Sequence, residues 1–518
     1  MKGSQAGAAE GPARLSLSAF AFRRVAEAGK SYTFVISRTQ PFTRRPPRPN
    51  RYEAAMSFLI AFGALCFLML VAYRGFSVIL FAPVAAMGAV FLTDPAAVPA
   101  AFSGVYMERM VGFVKDYFPV FLLGAVFGKM IEISGFSKSI VSAVIGMVGE
   151  REAILSIVLV GAILTYGGVS LFVVVFAVYP FAAEMFRQSH IPKRLIPGAI
   201  ALGAFSFTMD SLPGTPQIQN IIPTTYFKTN AFAAPTLGVI GGAFILVAGM
   251  AWLEWRRKRA QAAGEGYGEG HINEPPPLEH ERLASAWLAI LPLVLVFGLN
   301  KLFTTLIKAG YGASYDLKLP AMAAPIHVAV DKLQAVWAVE GALLAGIAAV
   351  AVFAWHPVSA RFAEGGKAAV AGALLASINT ASEYGFGAVI ATLPGFLVIR
   401  DALGGIPNPL VREAVTVTSL AGITGSASGG MSIALAAMSD QFIAAAKAHG
   451  IPMEVLHRVA AMASGGMDTL PHNGAVITLL MVCGLTHRQS YKDIFAVTVI
   501  KTMAVFVVIG VYQLTGWV

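Results

Sequence analysis

Two long apolar segments of this chain are interrupted by the same kind of sequence, and no other feature restricts its fold as much. Met467-Asp468-Thr469-Leu470-Pro471-His472-Asn473-Gly474 follows the small and apolar run Val459–Gly466 and leads into Ala475–Leu485. Met209-Asp210-Ser211-Leu212-Pro213-Gly214-Thr215-Pro216, 258 positions earlier, follows Ile196–Phe207 and leads into Ile218–Ile222. An acid, a hydroxyl, a proline and a glycine thus break two helices that are otherwise compatible with lipid. Backbone in hydrocarbon must hydrogen-bond internally, so such a break survives only where protein or a cavity surrounds it. Paired breaks at corresponding places in two halves point to the binding site of a transporter.

The composition agrees with a membrane setting. Hydrophobic residues make up 56% and charged residues 13%, against about 25% charged in soluble domains. Apolar windows of membrane-crossing length recur from residue 56 to the end, about 17–25 residues each. The expected fold class is an all-α polytopic membrane protein. It has two repeats, read as inverted, each with a re-entrant hairpin and a broken helix. The formal charge of +10 comes largely from residues 1–55, which hold ten Lys/Arg against three Glu. That basic tail reads either as a cytoplasmic arm or as an upstream extension of a protein that begins at Met56, and transport is expected not to need it. No nucleic-acid-binding module accompanies the charge. Cys66 and Cys483 lie in apolar runs, so neither a disulfide nor a metal site is expected.

The remaining boundaries follow from hydropathy. Residues 56–255 form the first repeat, 256–284 a polar linker and 285–518 the second repeat. The linker opens with Arg256-Arg257-Lys258-Arg259, which places that end in the cytoplasm. Residues 93–114 read as interfacial. Ala153–Phe186 is broken at Tyr166-Gly167-Gly168-Val169-Ser170, giving arms too short for a full crossing at about 1.5 Å per residue. It reads as a hairpin with Gly167 and Gly168 at its tip, one long tilted helix being the alternative. Arg412–Lys447 is broken in the same way, and Gly429-Gly430-Met431-Ser432 matches Gly167-Gly168-Val169-Ser170. Such self-similarity argues for duplication. Hairpins that do not cross make the repeats inverted, the preferred topology; crossing hairpins would make them parallel.

A broken helix aims free N–H groups and the positive end of its dipole into the gap, which suits a carboxylate. Hydroxyls and amides there suit a polyhydroxylated substrate. The substrate-binding candidates are Ser211, Thr215, Thr424, Ser426, Ser428, Thr469, His472 and Asn473. Helix packing by small residues is the competing reading. The second break, with His472 and Asn473 where the first has Gly214 and Thr215, is expected to contribute more to recognition. Ionisable groups in apolar runs mark function, which makes Asp210, Glu383 and Asp468 candidates for proton coupling. Helix capping is the other role open to the two aspartates. Lys129 and Glu132, three apart, are expected to pair. No phosphate loop, dinucleotide fingerprint or His/Cys metal cluster occurs, so no cofactor and no enzyme activity is expected.

At Met467–Leu480 and Cys483-Gly484-Leu485-Thr486-His487 the chain resembles the gluconate:proton symporter (GntP-type permease) family of the ion-transporter superfamily. The likeness covers roughly residues 56–518. It implies inverted repeats, re-entrant hairpins, an elevator-type movement, and proton-coupled uptake of gluconate or a related hydroxy or keto acid. The expected partners are a small organic anion, protons and the lipid bilayer of the cytoplasmic (inner) membrane. A homodimer is one assembly open to it. A sodium-coupled organic-anion carrier and an anion channel remain alternatives.

Overall fold

A computed structural model describes residues 51–518 apart from 75, 150, 151, 276–282 and 472. Residues 1–50 of the basic tail, and His472, therefore lie outside the described residues. The chain is helical almost throughout. Its first half runs through α1 (Arg51–Tyr73), α2 (Val78–Thr93), α3 (Val98–Ala101), α4 (Glu108–Ile133) and α5 (Phe136–Val148). There follow a helix pair, α6 (Ala153–Tyr166) and α7 (Leu171–Gln188), then α8 (Ile196–Ala204), the one-turn α9 (Phe207–Asp210), α10 (Ile218–Phe227) and α11 (Pro235–Ala262). The second half runs through α12 (Ala286–Tyr311), α13 (Val330–Phe353), α14 (Trp355–Thr392) and α15 (Pro394–Gly404). Then come the pair α16 (Pro409–Thr424) and α17 (Ala427–Ala448), α18 (Met453–Ser464), α19 (Gly474–Val482) and α20 (His487–Thr515).

Six of these helical segments are long and apolar enough to cross a membrane, among them Pro95–Ile133, Pro235–Ala262 and His487–Thr515. Residues 93–114, expected at the interface, are mostly helical and lead directly into α4. Helices α6 and α16 hold 14 and 16 residues, about 21 and 24 Å, short of the ~30 Å hydrocarbon core. One departure from an all-helical chain is a small antiparallel ribbon, β1 (Tyr315–Leu317) on β2 (Ile326–Val328), in the loop before α13.

Packing partners come in exchanged pairs between the halves. Helix α2 packs on α14 and α13 on α4; α10 packs on α17 and α19 on α7; α8 packs on α20 and α11 on α18. Matching helices also pack against each other. In the pair α11–α20, Trp252 Nε1 donates to Asp493 Oδ1 at 3.0 Å while Gly241 lies against Val508, so the two run antiparallel. In the pair α4–α14, Lys129 and Ile133 lie by Gly365, and Tyr106, in the turn leading into α4, lies by Gly385, again antiparallel.

The linker is pinned over part of its length. Helix α11 carries the first turns of it to Ala262, and residues 265–274 dock on both halves. Lys193 Nζ donates to the Ile272 carbonyl at 2.9 Å and to Glu274 at 2.7 Å, and Asn273 Nδ2 donates to the Met481 carbonyl at 3.0 Å. The Arg194 guanidinium, 2.6 Å from Glu265, holds that carboxyl below the usual carboxylate range.

Candidate functional site

The breaks form because Pro, Gly and polar side chains deny the helix its ladder at two places, and each second half-helix restarts from a polar residue. Helix α10 restarts after Gln217 and α19 after Asn473. The two helix pairs turn in the same way: α7 starts after Ser170 and α17 after Ser426. All four of these residues, with Leu171, Ile218, Ala427 and Gly474 behind them, line a single cavity of about 1110 Å³. Four helix N-termini, two from each half, thus converge on one space. Their dipoles make it favourable to anions. Among the described lining residues the one cation is Lys129, and it is paired to Glu132 at 2.8 Å as the spacing predicts.

The structure brings Thr424, Ser426, Ser428, Asp468, Thr469, Asn473, Glu383 and Gly168 to this cavity. Ser428 Oγ lies 3.2 Å from Thr380 Oγ1 of α14, and Thr469 Oγ1 lies 2.6 Å from Thr498 Oγ1. Thr424 turns its hydroxyl back to the Leu420 carbonyl at 3.0 Å. Ser211, Thr215 and Asp210 are buried behind the lining instead. Ser211 donates to Asp210 Oδ1 at 2.7 Å, and the Gln217 N–H donates to Thr215 Oγ1 at 3.4 Å. Neither aspartate caps the following half-helix; Gln217 and Asn473 stand at the N-cap positions, and only Asn473 caps with its side chain.

The glycines fall differently from the expectation. Gly167 ends α6 and Gly168, with φ +99°, makes the first turn. In the second pair the turn belongs to Gly425, with φ +65°, while Gly429 and Gly430 lie in the first turn of α17. Their smallness serves close approach: a Cβ at 429 would collide with Glu383 Oε2, and one at 430 with the Ala421 backbone. Helix α14 is continuous through Ser377–Ser382, which the sequence suggests as an interruption. Glu383 is 4% exposed, meets the Ser426 hydroxyl, and has no partner for Oε2.

Three buried cations and amides tie the breaks together, and the sequence reading passed over them. Lys501 of α20 donates to Asp468 Oδ1 at 2.7 Å and to the Phe205 carbonyl at 3.0 Å, joining both breaks. Arg458 of α18 donates to the carbonyls of Asp210 at 2.9 Å and Ala233 at 2.7 Å, and to Asn220 Oδ1 at 3.1 Å. Asn220 also donates to the Thr215 carbonyl at 3.0 Å. The signal for Lys501 was available: a lone lysine in the apolar run after Val497 demands a partner.

Each restart residue also reaches back to its neighbouring turn. Gln217 Nε2 donates to the Thr165 carbonyl at 2.7 Å, and Asn473 Nδ2 donates to the Gly425 carbonyl at 2.7 Å. Asn473 Oδ1 additionally accepts from the Ala475 and Val476 N–H groups at 2.6 and 3.0 Å. Asn473→Ala therefore removes a cap worth about 1 kcal/mol and a tether worth about as much again. The melting temperature of the purified variant should fall, and an unchanged value would contradict the capping role.

Membrane-length helices around a cavity lined by both halves define a multi-pass membrane protein of the transporter class. A Bacillus subtilis (strain 168) protein described as an uncharacterized transporter, YxjC, is 57% identical over 472 residues, covering 89% of this chain and 100% of that protein. The chain belongs to that transporter family. No family model matches it. Among solved structures, a crystal structure of the Alcanivorax borkumensis YdaH transporter is similar with a TM-score of 0.48 and 17% identity, over 82% of this chain and 90% of that chain.

Proposed function

We propose that the protein is a secondary active transporter of the cytoplasmic membrane that symports a small organic anion, gluconate or a related hydroxy or keto acid, with protons. The observation that carries this reading is the convergence of four helix N-termini on one cavity whose described lining holds no unpaired cation. Such a site attracts one or two carboxylates through N–H groups and dipoles, without the fixed charge that would hold an anion too tightly to release.

The antiparallel packing of α11 on α20 and of α4 on α14 favours inverted repeats. Short α6 and α16 favour re-entrant pairs. Alternating access then follows from movement of the helix pairs and broken helices against a frame that includes α4 and α14. Glu383 stands where the two meet, on the frame helix and against the α17 N-terminus, and is our candidate for the coupling proton. A buried carboxyl with an unsatisfied oxygen is costly as a lone charge and cheap with a proton on it.

Reconstitution into proteoliposomes tests the proposal. Uptake of gluconate, lactate or pyruvate should saturate, show counterflow, rise with an inward proton gradient and collapse with a protonophore. Uptake that follows sodium and ignores pH would replace proton coupling with sodium coupling. Flux that neither saturates nor exchanges would make the protein a channel.

A further inference from the structure

The four N-termini are not equivalent, and the difference assigns their roles. In the second half a side chain of the protein accepts at each terminus, although among the described residues the Ala427, Ser428 and Gly474 N–H groups make no hydrogen bond. Ser426 Oγ accepts from the Gly429 N–H at 3.0 Å, and Asn473 Oδ1 takes the first N–H groups of α19. The Glu383 carboxyl then lies against Gly429, in front of the α17 N-terminus. In the first half these positions are open. Neither Ser170 nor Gln217 caps its helix, and Gln217 turns its amide away to Thr165 and Val169. Among the described residues no acceptor faces the N–H groups of Leu171, Phe172 and Val173, or those of Ile218 and Gln219. Where α14 brings Glu383 to the second turn, α4 brings Phe127 and Gly128 to the first: Phe127 lies by Gly168, and Gly128 by Val169 and Ser170.

A second observation at the same place comes from a side chain. Gln219, in the first turn of α10, is 8% exposed and lines the cavity, and its Oε1 has no hydrogen-bond partner. Burying an amide without partners is costly, and a bound ligand that pairs with it removes the cost. Its amide can donate to a carboxylate and accept from a neighbouring hydroxyl at once.

We infer that the substrate's carboxylate is held by the first-half termini, α7 and α10, with Gln219 as its side-chain ligand. The second-half termini keep the protein's own carboxyl, Glu383. This rests on the proposed anion transport and goes further by separating a substrate subsite from a coupling subsite. It also reverses the sequence expectation that the second break contributes more to recognition.

Two variants of the full chain in proteoliposomes test it, with uptake of gluconate, lactate and pyruvate as the probes. Ser170→Asp puts an acid at an open N-terminus, where it caps α7 and stabilises it while occupying the anion's place. Its melting temperature should hold or rise while apparent affinity for each transported probe falls at least a hundredfold. Gln219→Leu, which keeps the volume and loses the amide, should weaken affinity about tenfold or more. Wild-type affinity retained in Ser170→Asp, or in Gln219→Leu, overturns the subsite while leaving anion transport standing. Wild-type protein that moves none of the three probes overturns the transport reading and the subsite with it.

Discussion

Lys501→Ala is expected to destabilise the region between the two breaks strongly. The ammonium is 1% exposed and its partner Asp468 13% exposed, so removal leaves a carboxylate with no counter-ion in a largely dry setting. Breaking a buried pair from one side costs about 3–5 kcal/mol. The same change frees the Phe205 carbonyl, at the end of α8, from its 3.0 Å donor. That bond adds to the packing of α8 on α20, so its loss weakens the contact between the halves as well as the pair. Purified Lys501→Ala should melt well below wild type, or fail to accumulate in the membrane. The double variant Lys501→Met with Asp468→Asn removes both charges and should recover much of the loss. A Lys501→Ala protein as stable as wild type would mean that the pair contributes nothing.

The breaks were legible in the sequence because polar, Pro and Gly residues in hydrocarbon have few explanations. The register between the halves was not. Matching Asp210 with Asp468 and the Gly-Gly pairs with each other gives shifts of 258 and 262 positions. Yet the helix starts Ser170 and Ser426, and Gln217 and Asn473, are each separated by 256. The first break is two residues longer from its aspartate to its restart. Motif matching therefore pairs Asn473 with Thr215, whereas the residue at its place is Gln217. A sequence shows which groups interrupt a helix but not where the next helix begins, because that depends on what the freed N–H groups meet.

Long-range partners were hidden for the same reason. Glu383 is visible as an acid in an apolar run, and Ser382 and Thr380 beside it suggest a break. The helix stays whole, with Ser382 met by the Tyr106 hydroxyl and Thr380 by Ser428 and the Ala376 carbonyl. Those contacts reach from the segment just before α4 to α17, and no local pattern announces them. The sequence thus marks the polar groups, and only the packing decides whether they cut a helix or face a neighbour.

Glu383→Gln is expected to separate transport from its driving force. Gln keeps the size of the side chain and can still meet the Ser426 hydroxyl, so the junction between α14 and the α17 N-terminus should remain closed. It cannot exchange a proton. On the proposed proton coupling, a gradient of one pH unit in wild type is worth about 1.4 kcal/mol per proton, or about tenfold accumulation of substrate. In the variant, inside and outside concentrations should equalise and go no further, while counterflow of labelled substrate continues. Glu413 provides the comparison, since it is buried in α16 with neither carboxyl oxygen partnered, yet it lies off the cavity lining. Glu413→Gln should keep proton-driven accumulation, because a carrier must expose its proton site to one side and then the other, and the cavity provides that exposure at Glu383. Tenfold accumulation persisting in Glu383→Gln, and lost in Glu413→Gln, would move the coupling site from the frame helix into the arm of the second helix pair.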